Sequence, residues 1–580
     1  MNSYTNETQI DKKQSFFTKV FFSFSYTEKL IFLLISLVFL FTGLTLLLQY
    51  NESILEVVPV QGGLIEEGVI GTPRFVNPVI AVSDTDNDLV SLIYSGLMRI
   101  DEQGNLINDL AESYTVSEDG LTYTFLLKKD VTFHDNTPVT ATDIVFTIDK
   151  IKTDIIKSPQ RGNWDSIEVY ANNEHEVEFS LPNPFPAFLL NTTLGILPSH
   201  IWQGVSDEEF PFTERNINPV GTGPYMVKKI NKNSAGIAES YTLEAFNKFS
   251  LGSPYIEEVI IQFYKSELLL LEAIQNKEIS SAGGISPQNA EGLEKSNHVI
   301  TQFSLPRVFG VFYNQNQSPV LASLNVRRAL EFATNKTEIV ETVFNKYGQA
   351  TNSPIPVALL TQEKLSNSSS SDTNVDTFST EEALRLFTEA GFDYTADAIL
   401  EDGDGQPLSI TLATADVPEL VQVARLLEKQ WKDVGIAVTV DIFSTRDFTQ
   451  NIIRSRSYDA ILFGEVIGRD VDLYPFWHSS QRNDPGLNIA NYANIDADAA
   501  LEEARLLQES ELKTEALQII TREIEQDAPA LFLYNPDYIY VVPEELRGIT
   551  PQTIMNGSDR FTTIHKWYKD TDRVWNFFNK

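Results

Sequence analysis

The chain has 580 residues, 42% of them hydrophobic and 11% aromatic, so it has the composition of a folded globular protein with length for about three domain-equivalents. Its 80 acidic and 44 basic residues give a formal net charge of −36, which argues against a nucleic-acid surface because phosphate binding needs clustered Lys and Arg. The absence of Cys excludes disulfides, thiolate metal sites, Cys nucleophiles and a lipid-modified cysteine anchor.

An uncharged, almost wholly apolar segment lies near the N-terminus, at residues 30–49. As a helix, its apolar run spans about 28 Å, close to the hydrocarbon thickness of a bilayer. A secretory signal peptide is the alternative, but the apolar region of a signal peptide is usually about 7–15 residues long and ends in small residues. We therefore predict an uncleaved transmembrane anchor at residues 30–49.

Charges on the two sides of this segment predict its orientation. Basic residues precede it and acidic residues follow it: Lys12, Lys13, Lys19 and Lys29, then Glu52, Glu56, Glu66 and Glu67. Under the positive-inside rule, residues 1–29 form a cytoplasmic tail, and the chain after the anchor lies outside. The Phe-rich tail is either an amphipathic segment on the inner membrane surface or an unstructured one. Residues 50–63 are expected to be a tether. We expect a single-pass cell-membrane protein whose bulk is extracellular or periplasmic.

Three aspartates, Asp84, Asp86 and Asp88, stand at alternate positions before an apolar helical pattern. This spacing suggests a calcium loop. An EF-hand loop needs Gly at its sixth position and Glu at its twelfth, where Leu89 and Ser95 stand. Helix capping is therefore the better interpretation.

The stretch from Leu110 to Phe146 has a readable order of elements. Ser117–Gly120 predicts a turn, and residues 122–127 alternate as a strand whose Tyr, Phe and Leu side chains share one face. A second strand is predicted at residues 131–133. The next turn, His134–Asn136, leads towards a helix.

That helix begins with Thr140, which stands three residues before Asp143 as in a capping box. The order and wording of the whole stretch resemble the signature region of the family 5 extracellular solute-binding proteins, the oligopeptide- and dipeptide-binding components of ABC importers. Family members usually have Gly where Asn136 stands, and Asn tolerates the left-handed backbone conformation. The resemblance implies an α/β fold, a two-lobed periplasmic-binding-protein-like clamp of type II with an additional domain, here behind one N-terminal transmembrane helix.

Later segments resemble the same family in the same order. Asn218–Tyr225 is a tight Gly/Pro turn, residues 311–356 resemble the entry to the third lobe, and residues 529–533 resemble the return from it. Asn335 with Glu338 predicts a helix cap in the second of these segments. The resemblance implies that lobe I comprises residues 64–101, 217–305 and 532–580, that the additional domain (domain II) comprises residues 102–216, and that lobe II (domain III) comprises residues 306–531.

Within lobe II, a strand at 408–413, a helix at 417–434 and a strand at 437–443 predict a parallel crossover, and residues 458–463 supply a third strand. Asp416 with Glu419 predicts a capping box for the helix. Elsewhere in this lobe, two polar segments are predicted as a surface loop and a hairpin turn, Ser366–Asp372 and Asp402–Gly405. Ligands of open α/β sheets bind beyond the carboxyl ends of parallel strands, which points to the loop at residues 464–478.

The candidate ligand-binding residues lie mainly in that loop. Glu465, Asp470 and Asp472 suit a ligand ammonium, Arg469 suits a carboxylate, and Trp477 suits an apolar wall. In the family, an acidic residue of the corresponding loop holds the ligand's amino terminus, and the resemblance nominates Asp470 or Asp472. The alternatives are a surface ion pair with Arg469 and a core position for Trp477. Three weaker candidates lie near the predicted crossings between lobes: Tyr313, Asn314 and Tyr534.

An enzyme is not expected. Glu465 and Asp470 are conceivable as a hydrolytic pair, but neither stands in a catalytic motif, and the chain has no G-x-S-x-G or H-E-x-x-H. The resemblance implies a monomeric receptor, without a cofactor, that captures a peptide or other small solute and delivers it to ABC permease subunits. The alternatives are a peptide sensor without transport and a non-peptide solute such as a nickel complex, haem or a sugar. A membrane-anchored hydrolase is a remote third.

Overall fold

The computed structural model describes residues 22–295, 298–360, 377–507, 511–550 and 553–575. The chain forms two compact units, one of Met1–Val60 with Asp570–Lys580 and one of Gln61–Lys569. The predicted surface loop at 366–372 lies outside the described residues.

The first unit contains one long helix and one strand pair. Helix α1 (Tyr26–Ile54) includes a 22-residue apolar segment, Tyr26–Leu47, with a mean hydropathy of 2.7. The most apolar stretch of this segment has no buried residues. It is long and apolar enough to cross a membrane, as the sequence predicts. Strand β1 (Leu55–Pro59) pairs antiparallel with β22 (Thr571–Trp575). Part of the predicted tether is therefore helix and strand.

The second unit is a mixed α/β body. Its strands are β2 (Leu64–Ile70), β3 (Met98–Ile100), β4 (Leu106–Asn108), β5 (Ala111–Val116), β6 (Thr122–Leu127), β7 (Glu168–Asn173), β8 (Glu176–Ser180), β9 (Tyr225–Lys232), β10 (Ala238–Ala245), β11 (Glu258–Tyr264), β12 (Ser281–Gly283), β13 (Val299–Ser304), β14 (Arg307–Tyr313), β15 (Gly348–Ala350), β16 (Asp393–Tyr394), β17 (Leu400–Glu401), β18 (Ser409–Ala415), β19 (Ala437–Phe443), β20 (Ala460–Val466) and β21 (Ala530–Val542).

Its helices are α2 (Asp84–Ile93), α3 (Ala141–Lys152), α4 (Arg161–Trp164), α5 (Phe188–Asn191), α6 (Ser199–Trp202), α7 (Glu267–Gln275), α8 (Pro287–Glu294), α9 (Leu324–Phe332), α10 (Lys336–Val343), α11 (Val357–Leu360), α12 (Thr380–Glu389), α13 (Pro418–Asp433), α14 (Thr445–Asp447), α15 (Tyr474–Trp477), α16 (Ile495–Leu506) and α17 (Glu511–Asp527). A π-helical segment, Phe448–Ile453, follows α14, and a 3₁₀ helix, Gly557–Phe561, lies near the end of the unit.

One strand, β21, joins the two halves of the large sheet. Along the main path the strands run in the order β19-β18-β20-β14-β21-β12-β2-β11-β10-β9. The first half of β21 pairs with β14, and its second half pairs with β13 and β12. Strands β18, β19 and β20 are mutually parallel where they pair, so the predicted parallel crossover is confirmed.

Two large hydrophobic clusters lie on the two sides of this junction. One, the β14–β21 core, draws its buried side chains from Val308 to Tyr534. The other, the N-terminal core, draws them from Ile65 to Leu305 and from Tyr540 to Trp567. The division of the second unit into lobes therefore has a counterpart in its packing, while the domain boundaries stay a prediction.

The stretch at 110–146 folds largely as its pattern predicts. Strands β5 and β6 form a hairpin within a four-stranded sheet of order β5-β6-β8-β7, and Tyr123 and Phe125 on the inner face of β6 are at most 2% exposed. Asn136 has the predicted left-handed backbone, with φ of 69°. The predicted strand at 131–133 is wrong, because only a single bridge, Thr132 to Pro138, forms there.

Helix starts were predicted with mixed success. Thr140 and Asp143 form the predicted capping box, and Asn335 caps its helix through the Glu338 N–H at 2.8 Å. The capping box at Asp416 is wrong. Helix α13 begins at Pro418 after Val417, with no side-chain cap, because Pro in the first turn already has the helical φ and lacks an N–H that needs a partner.

Candidate functional site

Strand β20 runs further than its sequence pattern predicts. It continues through Val466, where Glu465 still pairs in register with Val308 of β14. The loop that was predicted from residue 464 therefore begins three residues later, at residue 467. Gly464 is required at this point. A Cβ there would lie 2.6 Å from the ring of Phe309, which covers the strand. Glu465 is thus a strand residue with a fixed direction, not a loop residue.

Glu465 is buried, with 3% of its surface exposed, and neither carboxylate oxygen has a hydrogen-bond partner among the described residues. Burial raises its pKa well above the usual range, and the neighbouring indole N–H of Trp477, which does not reach hydrogen-bond geometry with the carboxylate, offsets this rise only in part. Trp477 is fully buried and packs against Phe312 and Phe532, with ring centroids 6.1 and 5.8 Å away. The structure therefore places Trp477 in the β14–β21 core, the alternative that the sequence left open.

The next residues form a tight turn that holds Asp470 in place. The Val471 N–H donates to the Gly468 carbonyl at 2.9 Å, and Val471 has a φ of 52°, unusual for a β-branched residue. The Asp470 carboxylate folds back over Gly468, where it occupies the space that a Cβ would need. Strained backbone of this kind costs about 1–3 kcal/mol and persists only where the surroundings enforce it. The turn therefore fixes the Asp470 carboxylate before any ligand arrives.

Asp470 differs from its neighbours in its electrostatic partners. It is half-buried, and in the part of the chain that the structure describes no cation forms an ion pair with it. Burial raises its pKa, the charge of Asp472 adds to the rise, and Lys513 opposes it. An added positive charge at this carboxylate would therefore be stabilised.

The other two charged candidates in the turn are already paired. The Arg469 Nη2 lies 3.4 Å from Asp559 Oδ2, in the 3₁₀ helix of the N-terminal core, and only 13% of the Arg469 side chain is exposed. Asp472 accepts from Arg505 Nε on α16 at 3.1 Å and from the Tyr474 N–H at 3.1 Å. The charges of Arg469 and Asp472 are thus partly neutralised by ion pairs within the protein.

A cavity of about 530 Å³ opens beside this turn. One wall comes from residues 104–106, strands β5 and β6, and residues 185–190, and the other from residues 469–473 and helices α16 and α17. Arg469, Asp470 and Asp472 line it, together with Arg505 and Lys513. Its volume lies within the roughly 300–1,000 Å³ of small-molecule sites, and its mixture of apolar walls with a few charged groups is typical of them.

The cavity walls include residues that sequence reasoning missed. Arg505 and Lys513 stand in ordinary helical patterns and Tyr114 in a strand pattern, and no motif marks any of them. They reach the cavity only because α16, α17 and β5 come together there. Only the positions of Tyr114, Arg505 and Lys513 in the folded chain, and no pattern in the sequence, identify them as cavity residues.

The three weaker candidates lie outside the cavity lining. Tyr313 is fully buried in the β14–β21 core, and burial strongly raises its pKa. Asn314 donates to the Arg456 carbonyl at 2.8 Å and accepts from Asn491 at 3.2 Å. Tyr534 stacks on Phe309 with centroids 5.0 Å apart and rings 3° from parallel. Each of these side chains is occupied by packing or by bonds within the protein.

The aspartates at 84–88 have structural roles. Asp86 accepts from the Arg74 and Phe75 N–H groups at 2.7 and 2.8 Å, and Asp88 is paired with the buried Arg560 at 2.8 Å. Within the ranges that the structure describes, no group of three or more His, Cys, Asp or Glu is positioned to hold a metal. The N-cap of α2 is Ser83, whose side chain accepts from the Asp86 N–H, so Asp86 and Asp88 are engaged in bonds within the protein at the start of this helix.

Comparison with known proteins places the chain. The family model of the bacterial extracellular solute-binding proteins, family 5 middle region, matches residues 105–484. The oligopeptide-binding protein AppA of Bacillus subtilis (strain 168) is 28% identical over 501 residues, which cover 84% of this chain and 89% of that protein.

Solved structures agree with this result. That of the oligopeptide-binding protein AppA from Bacillus subtilis with a nonapeptide aligns with a TM-score of 0.64 and 26% identity over 88% of this chain and 100% of that chain. That of NikZ from Campylobacter jejuni with Ni(L-His) aligns with a TM-score of 0.66 and 26% identity over 87% and 99% of the two chains. The expected type II binding-protein fold is confirmed. The chain belongs to the family 5 bacterial extracellular solute-binding proteins.

Proposed function

We propose that this protein captures peptides with a free amino terminus, that closure of its two lobes encloses them, and that it delivers them to an ABC permease. The proposal rests first on Asp470. Its carboxylate is held in a strained turn at the cavity, without an ion-pair partner in the described chain. A peptide ammonium supplies the missing positive charge through charge-assisted hydrogen bonds.

The similarity to peptide-binding relatives supports the solute class. The curated relative is an oligopeptide-binding protein, and its namesake from the same species was solved with a nonapeptide. Amine capture also agrees with the acidic composition of the chain, which has a net charge of −36. Peptides with a blocked amino terminus leave Asp470 without a cation and bind weakly.

Closure is proposed to act across β21, whose first half pairs with β14 of one large core and whose second half pairs with β13 beside the other. Contacts that a ligand makes only with the closed form shift the population towards that form. The cavity has walls from both cores, so opening them separates the turn at Asp470 from the wall at β5. A ligand held by both walls favours the closed state.

We further propose that α1 is an anchor that holds the binding body outside the cell. Its apolar segment, Tyr26–Leu47, has the length of a membrane span, and the flanking charges favour a cytoplasmic N-terminus.

The anchor is tested by cysteine labelling. Because the chain has no Cys, a single introduced cysteine is the only thiol that a maleimide can label. Gly162→Cys, where a Cβ meets nothing within 4 Å, should react with a membrane-impermeant maleimide on intact cells, whereas Ser3→Cys should react only after lysis. Release of the labelled Gly162→Cys protein into the medium would instead indicate a cleaved signal sequence.

The amine-binding role is tested by calorimetry with the full-length chain in lipid nanodiscs. A free-amine peptide and its N-acetylated form are titrated into wild type and Asp470→Asn. We expect wild type to prefer the free amine by about 10- to 100-fold, a typical effect of one desolvated charge-assisted contact, and Asp470→Asn to lose most of this preference. Glu503→Gln, which neutralises an exposed carboxylate on neighbouring α16, is the matched control and should behave as wild type.

Equal loss of both peptides in Asp470→Asn would remove the amine-binding role. Transport is tested separately by deletion of the gene and measurement of peptide uptake. Uptake should fall in the deletion strain and return with wild type but not with Asp470→Asn. Unchanged uptake would favour a sensing receptor over a transport component.

A further inference from the structure

The apolar face of the four-stranded sheet continues beyond the core that covers it. Tyr114 and Val116 on the edge strand β5 pair with Phe125 and Tyr123 of β6, so all four side chains share the inner face. The β6 pair is at most 2% exposed, whereas Tyr114 and Val116 are 37% and 38% exposed and line the cavity. The core therefore ends at β6 and leaves the edge of its apolar face towards the cavity.

Apolar side chains also line the opposite wall. Leu501 on α16 and Leu517 and Ile520 on α17 border the cavity and are almost fully buried by the packing of the two helices. Leu189, from the 185–190 segment, adds to the first wall. The packing of the two helices fixes the positions of Leu501, Leu517 and Ile520, so this wall of the cavity has a defined shape.

The apolar part and the charged turn belong to one cavity. Asp470 and Val471 stand in its lining with Tyr114 and Leu517, and the Asp470 carboxylate lies over Gly468 of the same turn. A ligand whose ammonium meets Asp470 therefore has its neighbouring group beside the apolar walls. Water in contact with those walls is released when an apolar group replaces it.

From this arrangement we infer the class of solute: a cationic amine with a bulky apolar group directly beside it, such as a peptide whose first residue is aromatic or long and aliphatic. The inference rests on the proposed function, because it takes the amine at Asp470 as given. Full burial of one such side chain is worth roughly 10- to 100-fold in affinity. The cavity is thus a selectivity pocket for the first side chain.

The test compares Phe-Ala-Ala, Gly-Ala-Ala and Ala-Ala-Phe by calorimetry, with the full-length chain in nanodiscs because detergent would compete for an apolar cavity. We expect Phe-Ala-Ala to bind at least about tenfold more tightly than the other two. Tyr114→Ser should reduce this preference, since it removes an apolar wall group. Tyr170→Ser is the matched control, because Tyr170 is 49% exposed on β7, the opposite edge strand of the same sheet.

A second variant fills the pocket instead of enlarging it. Ala187→Phe places a ring into the cavity from the 185–190 segment and should weaken binding of Phe-Ala-Ala several-fold more than binding of Gly-Ala-Ala. Equal affinities of Phe-Ala-Ala and Gly-Ala-Ala in wild type, with the free-amine preference intact, would overturn the inference and leave the proposed function standing. Failure of every free-amine peptide to bind would overturn both.

Discussion

His134 holds Gly223 through its imidazole, whose Nε2 donates to the Gly223 carbonyl oxygen at 3.1 Å. Its Nδ1 accepts from the Gly221 N–H at 3.3 Å, so the ring is the neutral tautomer with the proton on Nε2. The Gly/Pro turn in turn packs on Ile93, where a Cβ on Gly223 would lie 2.5 Å from the backbone carbonyl carbon. Two motifs that resemble the same family are thus joined by one side chain.

This contact predicts a loss of stability in mild acid. Burial lowers the pKa of His134 to about 4, whereas an unfolded histidine titrates near 6.5. Between these values the unfolded chain binds the proton more tightly than the folded chain, so the free energy of unfolding falls as the pH drops from 6.5 towards 4, by up to about 3 kcal/mol.

His134→Gln, which does not protonate, should show a smaller fall in melting temperature between pH 7 and pH 5. The control is His175→Gln, at the turn before β8. An unchanged pH dependence in His134→Gln would assign the acid sensitivity to other groups, such as His565, whose pKa is lowered to about 3.

Glu465→Gln should stabilise the protein at alkaline pH. Burial raises the pKa of Glu465, so the folded state binds its proton more tightly than the unfolded state does, and stability falls as the pH rises from about 4.5 through the raised pKa. An amide does not ionise, so Glu465→Gln avoids this pH-dependent loss of stability. Melting curves at pH 8 should favour Glu465→Gln over wild type, and the gain should shrink at pH 5. Destabilisation of the variant at pH 8 would instead show that the carboxylate is ionised and paired.

Gly468→Ala should weaken binding without unfolding the protein. The added methyl group takes the place of the Asp470 carboxylate, which must then rotate away from its position in the turn. Affinity for a free-amine peptide should fall about tenfold, or 1.4 kcal/mol, with little change in melting temperature. Gly162→Ala, where a Cβ has open space, provides the comparison. If both variants bind as wild type does, the carboxylate's position over Gly468 is irrelevant to affinity.

Arg469→Gln should alter stability more than recognition of a peptide carboxylate. Its guanidinium is engaged with Asp559, a partly exposed pair that is worth about 1 kcal/mol at most. We expect a small fall in melting temperature, absent when Asp559→Asn is already present, and similar affinities for free-acid and amidated peptides. A selective loss of the free-acid peptide would show that Arg469 leaves Asp559 to bind ligand, as its position in the sequence suggests.

Much of the local structure could be predicted because its causes are local. The alternation at residues 122–127, the capping box of Thr140 with Asp143 and the strand–helix–strand order around α13 depend on neighbours within a few residues. The length of the apolar segment of α1 is likewise a local property of the sequence. The strand predicted at residues 131–133 is wrong for a non-local reason: its pattern suits a strand, but its pairing stops at the single bridge of Thr132 with Pro138, so no ladder forms.

The amino-acid sequence by itself determined the family resemblance, the membrane-length helix and a loop that carries Asp470. Only the tertiary structure decided which charges in that turn have partners, because Asp559 and Arg505 lie 90 and 33 residues away from Arg469 and Asp472. It also buried Glu465 and Trp477 and opened the edge of β5 to the cavity. The reason is physical: propensity and periodicity act over one or two turns of chain, whereas burial and charge pairing depend on distances that only the folded chain defines.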